Sequence, residues 1–238
     1  MDKFAQRNIV PEIIDDFNWS GKDLEQNLEE IEWINKYLGG TRASAYPIWK
    51  YIQKNLQKQI TIADIGCGSG DVLKKIQEAS APIKKVSLIG VDANQHIIDF
   101  AHNRHFRENE ISFVKADVIN QSEMIPQANV YMMNLFFHHF EEKEIHTILQ
   151  NILQKNPSLV VINDLQRSKL AYTLFGLICK LNNASFVTFN DGRLSIQKGF
   201  KRNEMTKIGK MAEGYHFQLK WQWAFRWQLI IEPINADK

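Results

Sequence analysis

The chain has 238 residues, 44% hydrophobic and 24% charged, with a formal net charge of +2, which suits one α/β domain with a large core and an N-terminal addition. No apolar run approaches the roughly 20 residues of a membrane span, the start from Met1 to Arg7 lacks the apolar stretch of a secretory signal, and the mild charge gives little footing for nucleic acid. A cytoplasmic protein is therefore expected, and Cys67 and Cys179, far apart in sequence, frame no disulfide scaffold.

Leu24, Leu28, Ile31, Ile34 and Leu38 recur at helical spacing between a Ser20/Asp23 start and a Gly39-Gly40 stop, and a second helical stretch follows over 43–56. These two helices predict an N-terminal cap, residues 1–56, ahead of a main domain over 57–238. From residue 60, strands at 60–65, 86–92, 111–116, 129–134 and 158–164 interleave with helices at 70–79, 94–105 and 141–154. That order predicts βαβ units with right-handed crossovers and a mostly parallel sheet. A helix at 168–182 then leads into a loop running from Asn182-Asn183-Ala184-Ser185 to Asn190-Asp191-Gly192-Arg193, and segment 183–200 reads as a lid. A last helix at 202–213 precedes strands at 215–219 and 225–231, an aromatic-rich antiparallel hairpin joined through Trp221-Gln222-Trp223.

Chemistry concentrates at the strand ends, where open α/β sheets bind ligands. Thr61-Ile62-Ala63-Asp64-Ile65 runs into Gly66-Cys67-Gly68-Ser69-Gly70-Asp71, and glycines at alternate positions let the backbone turn sharply and lie against a ligand. The dinucleotide fingerprint is G-x-G-x-x-G, which seats a pyrophosphate; Gly66, Gly68 and Gly70 instead make G-x-G-x-G after an acid, a version suited to a cofactor without phosphates. The second strand ends in Asp92, whose carboxylate can accept both hydroxyls of a ribose.

Together, Asp64 to Gly70, Gly90-Val91-Asp92-Ala93 and Val114-Lys115-Ala116-Asp117-Val118 resemble the class I S-adenosylmethionine-dependent methyltransferases. The resemblance implies a Rossmann-like α/β fold: a seven-stranded, mostly parallel sheet with a C-terminal antiparallel hairpin and an N-terminal helical cap. It implies that Gly66, Cys67, Gly68, Ser69 and Gly70 pack on the amino-acid part of S-adenosylmethionine and that Asp64 lies near its ammonium. Asp92 would hold the ribose, Ala93 and Asn94 would line the ribose or adenine side, and Asp117 would reach the adenine amino group with Val118 beside it. Asn134, ending the fourth strand, would face the sulfonium and the acceptor.

Asn134-Leu135-Phe136-Phe137 lacks the prolines of the motif found there in adenine and amide N-methylating enzymes, which speaks against a DNA adenine methylase. His138 and His139 follow, and a neutral imidazole can take the proton of a phenol or enol, so one of them is the candidate general base. In an extended segment only one of the two faces the pocket. Asn163-Asp164 could offer oxygen ligands, but no second acidic pair accompanies them and no metal is expected. Phe136, Phe137, Tyr172, Phe175, Phe186, Phe189 and Trp33 are candidate walls for a flat acceptor, Phe137 foremost. Arg167 and Arg193, with Arg42, are candidates to hold a carboxylate.

Asn35 to Gly40, Asp164-Leu165-Gln166-Arg167 and Asp191 to Phe200 extend the resemblance to bacterial ubiquinone/menaquinone-methylase-like small-molecule methyltransferases, including those of polyketide and pigment pathways. Met133-Asn134 stands where the quinone methylases proper carry Arg-Asn, which departs from their C-methylation. The expected reaction is methyl transfer to a hydroxyl of an aromatic, quinol or polyketide-like small molecule. The alternatives are C- or N-methylation, RNA or DNA methylation through the basic segment Lys198, Lys201, Arg202, Lys207 and Lys210, and a non-catalytic cofactor-binding protein. Oligomeric state has no sequence signal.

Overall fold

Strand β1 (Ile60–Ile65) is apolar on both faces, as befits the centre of a parallel sheet. Its side chains alternate, Ile60 and Ile62 joining one buried cluster and Ala63 and Ile65 the other. The computed structural model describes residues 3–81, 83, 85–105 and 111–234. Around β1 are β2 (Val86–Asp92), β3 (Ile111–Lys115), β4 (Val130–Asn134), β5 (Leu159–Leu165), β6 (Tyr215–Gln222) and β7 (Arg226–Pro233), in the order β3-β2-β1-β4-β5-β7-β6. All neighbours pair parallel except β5 with β7 and β7 with β6. The seven-stranded sheet and its terminal hairpin match the sequence expectation. Strand order reverses between β1 and β4, which leaves a crevice at their carboxyl ends.

Helices cover both faces. After α1 (Lys22–Tyr37), helices α2 (Gly40–Lys54), α3 (Asp71–Ser80) and α4 (Gln95–Arg104) bury Ile48, Ile52, Val72, Leu73, Ile76 and Ile98 on one face. On the other, α5 (Glu142–Leu153) and α8 (Arg202–Lys210) bury Ile145, Ile148, Leu149, Ile152, Met205 and Ile208. Helix α2 is thus part of the main core, while α1 lies over the crevice, with Leu24 and Leu28 packed on Ile97. Pro47, inside α2, has no N–H for the Ala43 carbonyl, and the side-chain amide of Gln228 on β7 donates to that carbonyl instead. No helix of the described residues is long and apolar enough to cross a membrane.

The expected loop between the last helices is corrected. After α6 (Lys169–Leu181), residues Phe186–Lys198 form helix α7, capped by Ser185, whose hydroxyl accepts the Thr188 N–H and donates to Glu30. Asp191-Gly192 reads as a turn in sequence but sits mid-helix. A Cβ on Gly192 would lie 2.3 Å from Phe175 Cζ, so the glycine is there to admit the Phe175 ring of α6. Its role is packing rather than turning.

That contact fixes the sign of a substitution. At an open helical site Gly→Ala gains about 1 kcal/mol; Gly192→Ala is expected to destabilise by about 1–3 kcal/mol through overpacking, and to become neutral or stabilising in a Phe175→Leu background. Urea unfolding of the single and double variants measures both.

Candidate functional site

The loop after β1 takes three left-handed steps, Gly66, Gly68 and Gly70 at φ of +72°, +52° and +76°. A Cβ on Gly66 would strike the Phe136 ring at 2.3 Å, whereas the nearest atom to one on Gly68 is Leu28 Cδ2 at 4.0 Å. One glycine therefore closes the loop against β4 and the other leaves a bare wall. Asp92 pins this loop to β2: its carboxylate accepts the Gly68 N–H at 3.3 Å and the Asn94 N–H at 3.1 Å.

Above these residues is a cavity of about 630 Å³, within the usual range for small-molecule sites. Asp64, Gly66, Cys67, Gly68, Ser69, Asp92, Ala93, Asp117, Val118 and Asn134 all line it. Two other expected cofactor residues stand behind the wall: Gly70 packs near Phe113, and Asn94 caps α4 through the His96 N–H while donating to the Trp19 carbonyl. Asp117 lines the cavity with its oxygens already engaged by Ile119 and Asn120, and Asn134 Oδ1 accepts from Ser44 and Asn163.

Carboxylates dominate this end. Burial first, then repulsion from Asp71 and Asp92, pushes Asp64 well above the ordinary range, and its Oδ1 has no hydrogen-bond partner. Burial and Glu32 raise Asp71 to about 7. Burial also raises Asp92, against the pull of the Asn94 and Gly68 N–H groups. The Cys67 thiol is pushed well up by burial and by Asp92, which makes it a poor nucleophile.

At the other end, Phe137–His139 form a single 3-10 turn. The extended expectation is corrected: both His138 and His139 line the cavity, their ring centroids 4.2 Å apart. His138 is buried, with Nδ1 2.8 Å from Asp164 Oδ1 and Nε2 3.8 Å from Glu12 Oε1. Burial would raise Asp164, but the His138 charge and hydrogen bond outweigh it and hold the carboxyl below its ordinary value. His139 Nδ1 lies 2.6 Å from Asp15 Oδ1. Burial would lower His139, yet Glu12 and Asp15 together hold it above the ordinary histidine value. Lys198 Nζ stands 3.1 Å from Glu12 Oε1 and 3.2 Å from Asp15 Oδ2, and Ser195 Oγ donates to Glu12 Oε2 at 2.6 Å. Arg7 satisfies the turn's carbonyls at His138 and Phe140.

Several expected acceptor residues are elsewhere. Phe137 is wholly buried in the core of the α5 face. Arg167 is consumed by the Phe4 and Gly199 carbonyls and by Glu204, and Arg193 stacks over Tyr172 and Phe189. Neither arginine lines the cavity, and Arg42 is exposed. The aromatic wall is Phe17, Phe136, Phe140, Phe175, Trp223 and Phe225. The basic segment divides, because Lys198 turns inward to the acids whereas Lys201, Arg202, Lys207 and Lys210 lie exposed.

Glu12, Asp15, Lys198 and Arg226 also line the cavity; Glu12 and Asp15 form a local capping box, but the ion-pair partners of these acids lie far away in sequence. Glu12, His138 and His139 bring ligand-type atoms within 4.8 Å of one another, but Lys198 already stands at that point as a cation.

Residues 62–155 match the family described as "Methyltransferase domain". No curated protein matches the chain. Among solved structures, the plantazolicin methyltransferase BpumL in complex with SAH is 20% identical, with a TM-score of 0.64 over 88% of this chain and 94% of its own. A SAM-dependent methyltransferase from Aquifex aeolicus is 11% identical, with a TM-score of 0.60 over 88% and 98%. Magnesium protoporphyrin IX methyltransferase (ChlM) from Synechocystis PCC 6803, with bound SAH, is 12% identical, with a TM-score of 0.54 over 79% and 81%. At these identities the likeness is one of fold.

The Asp15–His139 pair gives the N-terminal segment a pH window. Asp15 is held far below its ordinary 3.8, the His139 contact outweighing burial, so its contribution is present above pH 3.8 and is lost as pH falls through the folded value. His139, raised above 6.5, contributes fully below pH 6.5 and loses that contribution as pH rises through its folded value. Hydrogen-exchange protection at residues 8–20, taken relative to the intrinsic rate at each pH, is expected to be highest between these limits and to fall on the alkaline side. Asp15→Asn should flatten that profile.

Proposed function

We propose that this chain is a class I S-adenosylmethionine-dependent methyltransferase, a reading that its matched domain and its fold support, and that it moves a methyl group onto a hydroxyl of a small aromatic, quinol or polyketide-like acceptor. The observation that carries this reading is the buried His138–Asp164 pair in the same cavity as the glycine loop.

The residues present fit the cofactor. Asp64 has an idle acceptor atom for an ammonium, Asp92 stands at the end of β2 for a ribose, and the space over Gly68 is open. Ala93, Asp117 and Val118 line the adenine side on this reading. When bound, S-adenosylmethionine supplies a methyl group on a sulfonium, an electrophile that needs little further activation. The protein's own contribution is alignment, exclusion of water and management of one proton.

His138 manages the proton. Asp164, kept ionised, accepts the Nδ1–H and leaves Nε2 facing the cavity as the base. His138 Nε2 would take the proton of the acceptor hydroxyl as that oxygen is methylated. Glu12 Oε1 stands 3.8 Å from that nitrogen. His139, tied to Asp15, holds the N-terminal segment across the acceptor end. A second reading, methylation of an amine, has one observation in its favour: Glu12, Asp15 and Asp191 line that end, and carboxylates suit an ammonium.

Incubation with methyl-labelled S-adenosylmethionine and fractionated cell extract tests the reading. Label is expected in an organic-extractable small molecule, in a product that mass spectrometry assigns as a methyl ether. Label confined to nucleic acid or protein would overturn it, and an N-methyl product would select the second reading. His138→Gln is expected to lower kcat by about 10²–10⁴-fold, with the affinity for S-adenosylhomocysteine unchanged by calorimetry.

A further inference from the structure

Strand β7 opens on Arg226, the largest fully buried side chain of the described residues. Nη2 reaches Asn35 Oδ1 at 3.4 Å, a long contact, while Nε and Nη1 have no hydrogen-bond partner. Burial brings the guanidinium down to about 10, against the fields of Asp164 and Asp71, so it stays charged at neutral pH. A buried cation with two idle donors is costly unless an anion completes it.

Its surroundings add to the demand for an anion. A Cβ on Gly40 would lie 3.0 Å from Arg226 Cζ, which sets the guanidinium on the first turn of α2. That helix begins after Gly39 with no side-chain cap, so its terminal N–H groups add partial positive charge at the same corner. Arg226 and Asn35 line the same cavity as Asp64 and the glycine loop. Asp71 lines that cavity as well. The cavity therefore presents two idle guanidinium donors and one idle carboxylate acceptor, a sorted pair of charges that suits an α-amino acid zwitterion.

We propose that Arg226, from the terminal hairpin, binds the carboxylate of the cofactor's amino-acid part, with Asp64 taking its ammonium. The inference rests on the S-adenosylmethionine reading and adds the residue that Arg42, Arg167 and Arg193 fail to supply. Arg226 is a binding residue on this account, and its effect lies in discrimination between ligands that carry the carboxylate and ligands that lack it.

Calorimetric titration of S-adenosylhomocysteine, and of its decarboxylated analogue that keeps the ammonium, into the wild-type protein, Arg226→Met and Arg226→Lys tests this. The wild type is expected to prefer the carboxylate-bearing ligand by about 10–100-fold, the effect of charge-assisted hydrogen bonds. Arg226→Met should abolish most of that preference by weakening the carboxylate-bearing ligand and sparing the analogue. Arg226→Lys should lie between, since it keeps the charge without the planar fork. Equal binding of the two ligands by the wild type would overturn the proposal whether or not either variant folds, and so would an equal loss of both in a folded variant. Binding of neither ligand by the wild type would overturn the cofactor reading itself.

Discussion

Charge buried at the carboxyl edge of the sheet is the constraint on which this molecule turns. Asp64, Asp71 and Asp92 are all pushed toward neutrality by their surroundings, and a fold that only needed stability would have no use for three such groups together. Glycines in the adjoining loop keep a wall open beside them. The pocket is thus a region where the protein holds unfavourable electrostatics in place, which a cationic ligand would relieve. Preorganisation of this kind costs folding stability and is recovered on binding.

The other end of the cavity solves the same problem internally. Glu12 and Asp15 come from a segment that precedes every regular element of the sheet, and they meet His139 and Lys198 from the far half of the chain. Each acid finds a base, and the pairs lash the N-terminal segment across the opening. The His138–Asp164 pair sits beneath, shielded by this arrangement. On the proposed reading, that placement keeps the proton acceptor from bulk water.

Sequence reading reached the sheet, its hairpin and the glycine loop because those features are written locally: alternation, Gly spacing and an acid at a strand end each occupy a few adjacent residues. It failed at Gly192, where a residue that usually marks a turn was chosen for the ring packed against it. It failed also at the arginines. Arg167 has the right neighbours in sequence but spends its guanidinium on Glu204 and two carbonyls, while Arg226, inside an aromatic hairpin, carries no signal until the chain is folded. The choice between the histidines rested on an extended segment, and the 3-10 turn gave both of them the cavity with different partners.

The position of β7 has a consequence for how the chain is made. This last strand in sequence is not the last in space: it lies between β5 and β6, and β6 takes the edge. Its Gln228 completes the proline-broken backbone of α2, a helix made long before it. During synthesis the ribosome would release β1 to β5 and their helices as a sheet with an open edge, and α2 with an unanswered carbonyl. Only when residues 226–233 emerge can the strand be inserted and the corner around Asn35 and Gly40 be filled. A nascent chain, or one cut short before residue 226, would therefore display much of the fold while lacking one wall of its pocket.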